Sequence, residues 1–187
     1  MNVIETPLAG VQVFEPDRFE DERGWFMEVW NEERYLHAGL PVRFAQTNVS
    51  LSSRGVLRGM HYQSPQEQGK LVSVLSGAVF DVLVDIRRGS PDFGRWYGLE
   101  LSADNRRQLW IPEGYAHGFL ALSAATLVHY ACTAPYHPGS DRTLAWDDPD
   151  VGIAWPHTPA IISAKDRAAP PLARISDAEL PSLRPLR

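Results

Sequence analysis

The stretch GVLRGMHYQSPQEQGKLV (Gly55–Val72) decides how the chain is read. Val56, Leu57 and Met60 form the apolar side of a first run. Leu71 and Val72, continued by Val74 and Leu75, form the apolar side of a second, so the stretch predicts two strands joined by a Ser/Pro/Gln turn. Polar residues between such runs project from a sheet, where a rigid backbone can hold them for chemistry. His61 stands three residues after Arg58 and nine before Lys70. That grouping suits an anionic ligand with a base beside it.

Working outward, short apolar runs recur at Val11–Phe14, Gly24–Trp30, Phe44–Ser50, Ala78–Ile86, Trp96–Leu101, Arg107–Ile111, Gly118–Leu122, Thr126–Cys132 and Arg142–Trp146. Gly- and Pro-bearing turn signals such as Ser76-Gly77, Gly89-Ser90-Pro91 and Pro112-Glu113-Gly114 separate several of them, a spacing typical of antiparallel sheets. One helix is predicted over Asn31–Ala38, with Asn31 as cap, Glu32 and Glu33 complementing the dipole, and Gly39 and Pro41 as stops. A further helical turn is expected near Asp177–Leu180. The fold class is therefore all-β, a jelly-roll barrel with short peripheral helices, because doubling or closing the sheet removes exposed edges. Residues 1–187 read as a single domain. The Pro-rich segment from Pro156 onward cannot extend a ladder and is expected to wrap the outside, with 167–187 a peripheral tail.

Composition narrows the partners. The net charge of −5 argues against a nucleic-acid surface, which needs a clustered basic face. Lys70 and Lys165 are the only lysines among 18 basic residues; the plain reading of that Arg bias is genomic composition, and the alternative is phosphate recognition by a few named arginines. The one cysteine, Cys132, excludes an internal disulfide and fits a reducing compartment; its β-branched and aromatic flanks read as a buried, inert thiol. No basic-then-apolar leader begins the chain, and no apolar stretch approaches the roughly 20 residues that span a bilayer. The chain is expected to be soluble and cytoplasmic, with no membrane or nucleic-acid partner.

Two histidines carry the chemistry. The turn PEGYAH (Pro112–His117) resembles the second motif of cupins, in which a tight turn delivers a histidine into the barrel. The first cupin motif of metal-bound members has H-x-H, and here the corresponding residues are His61-Tyr62-Gln63. Two isolated histidines make a poor divalent-metal site, so no metal is expected. His61 is then a candidate general base, since imidazole titrates near neutrality. The alternative is a histidine merely satisfied in the barrel wall. A carboxylate behind the ring would fix its tautomer, and Asp166 is the candidate, although periodicity alone makes it an exposed tail residue. Alternation along Thr126–Cys132 sets Thr126, Val128, Tyr130 and Cys132 on one face, which leaves Tyr130 as either a core aromatic or an interior proton donor. Arg58 and Arg23 are either surface salt-bridge partners or forks for a pyrophosphate.

Taken together, DERGWFME (Asp21–Glu28), FAQTNVS (Phe44–Ser50), GVLRGMHYQ with KLV, FDVLVDIRRGSP with FGRW, QLWIPEGYAHGF, and DPDVGIAWP with SAKD resemble the dTDP-4-dehydrorhamnose 3,5-epimerase family. The likeness runs collinearly from Met1 to Asp166. It implies a cofactor-free, metal-free cupin homodimer acting on a dTDP-4-keto sugar. Carried over by position, it implies His61 as proton acceptor, Asp166 as its dyad partner, Tyr130 as donor on the opposite face, and Lys70 beside the ketone oxygen. It further implies Arg58 at the pyrophosphate with Gln46 and Asn48 nearby, His117 at the sugar, Tyr136 beside the thymine, and Asp141 and Lys165 as additional binding positions. Arg23, Phe26 and Glu28 would reach into the partner's site on an exchanged N-terminal strand. Met60 and Trp25 depart from the family's usual residues without touching a catalytic role. The resemblance leaves open a monofunctional 3- or 5-epimerase of a modified sugar, and more distantly a non-catalytic sugar-binding cupin or a metal-dependent cupin oxygenase.

Overall fold

The computed structural model describes residues 1–40 and 43–183; Pro41, named above as a helix stop, and the last four residues of the tail lie outside the described residues. The strands in chain order are β1 (Asn2–Glu5), β2 (Gln12–Glu15), β3 (Arg18–Asp21), β4 (Gly24–Met27), β5 (Gln46–Ser52), β6 (Val56–Gln63), β7 (Lys70–Ser76), β8 (Ala78–Asp85), β9 (Trp96–Ser102), β10 (Gln108–Ile111), β11 (Tyr115–Ala121), β12 (Thr126–Cys132), β13 (Asp141–Thr143) and β14 (Ile161–Ile162). The helices are α1 (Glu32–His37) and α2 (Ala164–Arg167). This is the expected all-β jelly roll with short peripheral helices.

One sheet has the order β1-β2-β10-β7-β12-β5; the second has β13-β6-β11-β8-β9, with β14 paired to β6. Val72, Val74, Leu109 and Val128 from the first sheet pack against Leu83, Leu101, Tyr115 and Phe119 from the second. Burying each such side chain contributes on the order of 1.5–3 kcal/mol, so this layer holds the sheets face to face. On the outer face of the first sheet, α1 seats Tyr35 among Phe14, Leu40, Leu71 and Trp110. Asn31 caps α1 as expected, its side chain accepting from the Arg34 backbone N–H at 3.1 Å. Among the described residues, no helix is long and apolar enough to cross a membrane.

Two expectations change. The segment after Pro156 does join a ladder: Ile161 and Ile162 pair in parallel with Val56 and Leu57 of β6. The tail is not merely peripheral, because Leu172, Ile175 and Leu180 are buried with Met60 and Tyr62 on the outer face of the second sheet. Burial of those apolar residues holds the Pro-rich segment against the sheet. Residues 177–179 form one hydrogen-bonded turn, the Glu179 N–H donating to the Ser176 carbonyl at 2.9 Å, and a short helix that the sequence did not indicate lies earlier, at α2.

The pairing of β6 with β11 contains the irregularity that shapes the site. His117 lies opposite His61 and Phe119 opposite Arg58, so β6 uses three steps where β11 uses two. In a regular strand, residues three apart face opposite sides. The extra residue at Gly59 and Met60 turns Arg58 and His61 toward the same interior space. Only glycines fit there: a Cβ on Gly59 would lie 2.5 Å from the Gly118 Cα, and one on Gly118 would lie 2.7 Å from the Met60 Sδ.

Candidate active site

His61 and Asp166 form a dyad. His61 Nε2 lies 2.6 Å from Asp166 Oδ1, and the Gly59 backbone N–H reaches Asp166 Oδ2 at 3.4 Å. Asp166 is buried, contrary to the exposed position that periodicity suggested. The physical reason is local. The β14 pairing carries the chain along β6, and Ser163 then caps α2 by accepting from the Asp166 N–H at 3.0 Å, which turns the carboxylate inward. Burial works to raise the Asp166 pKa, but the His61 hydrogen bond and charge, the Gly59 N–H and Ser163 outweigh it and hold the carboxyl below its ordinary value. A carboxylate facing Nε2 assigns the ring proton to that nitrogen, leaving Nδ1 to accept one.

The facing wall comes from the other sheet. Tyr130 on β12 and Lys70 at the head of β7 belong to the first sheet, whereas His61 belongs to the second. Tyr130 is partly buried against the inter-sheet core. Burial, with Cys132 nearby and Arg58 opposing, pushes its phenol above the ordinary value, so it is protonated at neutral pH. Burial pushes the Lys70 ammonium below its ordinary value, with Cys132, Asp81 and Asp141 acting the other way.

These groups stand where two cavities meet. The first, of about 350 Å³, is lined by Gln46, Asn48, Gln63, Gln68, Cys132, Tyr136 and Asp141. The second, of about 480 Å³, is lined by Arg58, His117, Phe119, Val56, Ile161, Ile162 and Asp166. His61, Lys70, Tyr130 and Lys165 line both, so the two are lobes of one cleft with the titratable groups at the junction.

The lobes separate residues that the sequence grouped. Gln46 and Asn48 project into the first lobe from alternate positions of β5, and Gln46 Nε2 donates to Asn48 Oδ1 at 2.8 Å. Arg58 lies in the second lobe beside His117, donating to Ser52 Oγ at 3.0 Å and to the Leu51 carbonyl at 3.1 Å. Tyr136 is 52% exposed at the rim of the first lobe, its hydroxyl donating to Asp141 Oδ2 at 3.0 Å; the Lys165 ammonium donates to the same oxygen. Arg23, Phe26 and Glu28 line neither lobe. Arg23 and Phe26 belong to the β3–β4 ribbon, which joins neither sheet. Phe26 is 67% exposed, Arg23 pairs with Asp21, and Glu28 pairs with Arg34 at 3.5 Å.

The family model for dTDP-4-dehydrorhamnose 3,5-epimerase matches residues 5–174. The dTDP-4-dehydrorhamnose 3,5-epimerase of Methanothermobacter thermautotrophicus is 53% identical over 172 residues, 90% of this chain and 93% of that protein. This chain belongs to the dTDP-4-dehydrorhamnose 3,5-epimerase family. A solved epimerase from Legionella pneumophila, in complex with dTDP-4-keto-L-rhamnose, superposes with a TM-score of 0.95 at 49% identity, over 98% of each chain. A 3'-monoepimerase from Streptomyces bikiniensis, in complex with dTDP-quinovose, superposes with a TM-score of 0.86 at 36% identity, over 95% of this chain and 93% of that one.

Two residues outside the sequence-derived site also shape the cleft, Asp81 from behind His117 and Gln63 in the lining of the first lobe. Asp81 is fully buried behind His117, whose Nε2 lies 2.9 and 3.1 Å from its two oxygens. The signal was an acidic residue inside the apolar run FDVLV, which buries a charge only where a partner awaits it. Gln63 registered only as the residue in place of a second histidine. Cys132 is buried as expected, and burial raises its thiol, but it also lines the first lobe. Among the described residues, no group of three or more His, Cys, Asp or Glu side chains gathers to hold a metal ion.

Proposed function

We propose that this protein inverts carbons 3 and 5 of dTDP-4-dehydro-6-deoxy-D-glucose, giving dTDP-4-dehydro-L-rhamnose for dTDP-L-rhamnose synthesis, without a cofactor. The observation that carries the reading is the placement of an imidazole–carboxylate dyad and a protonated phenol on opposite sheets across one cleft. Both carbons flank the ketone at carbon 4, so each C–H is acidified through an enolate. His61 Nδ1 removes the proton from one face, and Tyr130 returns one to the other, which inverts the centre. Asp166 stabilises the imidazolium that forms. Lys70, on the same wall as Tyr130 and lining both lobes, stabilises the negative charge on the enolate oxygen, the kind of electrostatic contribution that usually dominates such reactions.

Binding roles follow the lobes. Tyr136 stands beside the thymine; Gln46, Asn48, Asp141 and Lys165 hold the nucleotide side, and His117 contacts the sugar. Arg58 carries phosphate or sugar oxygens from the second lobe. The relatives' bound dTDP-sugars support this substrate class. We assign Arg23, Phe26 and Glu28 to a partner's cleft in a homodimer. In support, all three lie off their own chain's cleft, the ribbon exposes Phe19, Trp25 and Phe26, and β5 exposes Val49 and Leu51.

The test is NMR of the keto sugar incubated with the protein in deuterated water. Deuterium at both carbon 3 and carbon 5 is expected. Label at one carbon alone would assign a monofunctional epimerase, and label at neither would end the enzyme reading.

A further inference from the structure

We infer that Gln63 is a positioning residue that sets the nucleobase platform, acting through the backbone of the loop that carries Tyr136. This rests on the proposed reading of Tyr136 as the surface against which the thymine lies.

Four consecutive residues of that loop each have a backbone group bonded by a glutamine amide. Gln68 Nε2 donates to the Ala134 carbonyl at 2.7 Å, and Gln63 Nε2 approaches the Pro135 carbonyl at 3.4 Å. The Tyr136 N–H donates to Gln46 Oε1 at 2.7 Å, and the His137 N–H donates to Gln63 Oε1 at 2.7 Å. Gln63 is the hub, because its Nε2 also donates at 2.6 Å to the Gln66 carbonyl, and Gln66 Oε1 in turn accepts from Ser140 Oγ at 3.1 Å. Gln63 is 5% exposed and anchors, from that buried position, backbone groups of the exposed loop residues Gln66, Pro135 and His137, so losing its amide frees both loops. Tyr136 itself has its backbone N–H and its hydroxyl fixed while the ring stays open at the rim. Such a ring is preformed, and preforming lowers the ordering cost of binding.

The position has a chemical logic within the strand. Two residues beyond His61, Gln63 faces the cleft side of β6, in the slot that the second histidine of an H-x-H motif would hold. An amide there presents a donor and an acceptor to two loops at once, which a neutral imidazole can do only along one axis.

The experiment compares wild type, Gln63→Met, Tyr136→Ala and the double variant, using calorimetric titration with dTDP alone and steady-state kinetics with the keto sugar. Gln63→Met is expected to raise the dTDP Kd and the KM together by about tenfold while kcat stays within about twofold, the signature of lost uniform binding. Added to Tyr136→Ala it should cost little more, because both changes remove one platform. A folded Gln63→Met protein with unchanged Kd and KM, a fall in kcat alone, or full additivity with Tyr136→Ala would each overturn the assignment. If Gln63→Met does not fold, Gln68→Met, which removes the bond to Ala134, is read by the same criteria. Wild type that binds no dTDP would instead end the nucleotide-sugar reading, and this inference with it.

Discussion

Replacing Asp166 by Asn removes the dyad's charge and leaves its shape. In the wild type one carboxylate oxygen faces His61 Nε2 at 2.6 Å and the other faces the Gly59 N–H at 3.4 Å. An asparagine has one acceptor for these two donors. The short contact with the ring is the stronger, so the amide oxygen should turn to His61 and its NH₂ toward Gly59, which preserves the tautomer that leaves Nδ1 able to accept a proton. What is lost is the charge assistance to the imidazolium formed after abstraction. A hydrogen bond to a charged group contributes roughly 1.5–3 kcal/mol. With about 1.36 kcal/mol per factor of ten, solvent-deuterium exchange should slow about 10- to 150-fold. Removal of the base itself, as His61→Ala, typically costs about 10²–10⁴-fold and sets the floor in the same NMR assay. Stability should follow the sign of the shift. The Asp166 carboxyl is held below its ordinary value of 3.8, so its contribution is present above that pH and is lost as the pH falls through the lower folded-state value. The wild type should therefore exceed Asp166→Asn in urea midpoint at neutral pH, with the gap closing in strong acid. A slowing well beyond about 150-fold, down to the His61→Ala rate, would mean that the amide had inverted the tautomer, and an undiminished rate would mean that the carboxylate does nothing for the imidazolium. Either result refutes the reasoning.

Tyr130→Phe keeps the ring's apolar contacts, so its melting temperature should stay near that of the wild type; the variant should still wash out substrate protons through His61 yet form little inverted product, whereas normal epimerisation by the folded variant would reassign the acid. Burial depresses Lys70, so kcat should fall on the alkaline side as pH rises through a value below that of ordinary lysine, and Lys70→Arg, if active, should move that limb upward; an identical limb in both proteins would remove Lys70 as its source. Tyr130 is shifted upward and should not set that limb. Mixing inactive His61→Ala with inactive Arg23→Ala protein should regenerate activity in heterodimers, and no recovery despite demonstrated subunit exchange would mean that each chain completes its own cleft.

Most of the strands, the capped helix and the residue types of the site were legible along the chain, whereas β1, β3 and β14 fall outside the predicted runs. Period-two alternation survives folding wherever one face is buried, and the predicted run Thr126–Cys132 coincides with β12. The turn before His117 was legible for the same local reason: Gly114 has φ +91°, a conformation that favours glycine over other residues. Resemblance across the collinear motifs named the site residues, but not how they meet. Long-range pairing decided that. His61 and Asp166 are 105 residues apart, and their contact depends on two residues of tail lying parallel to β6, a pairing that the Pro-rich composition concealed. Period two would have put Arg58 and His61 on opposite faces, and only the irregularity opposite Gly118 brings both into the cleft. The burial of Asp81 behind His117, and of Gln63 beneath the Tyr136 loop, depends on which strands become neighbours. A chain reveals its local periodicities along its length, but the partner of a buried polar group is fixed only when distant segments close around it.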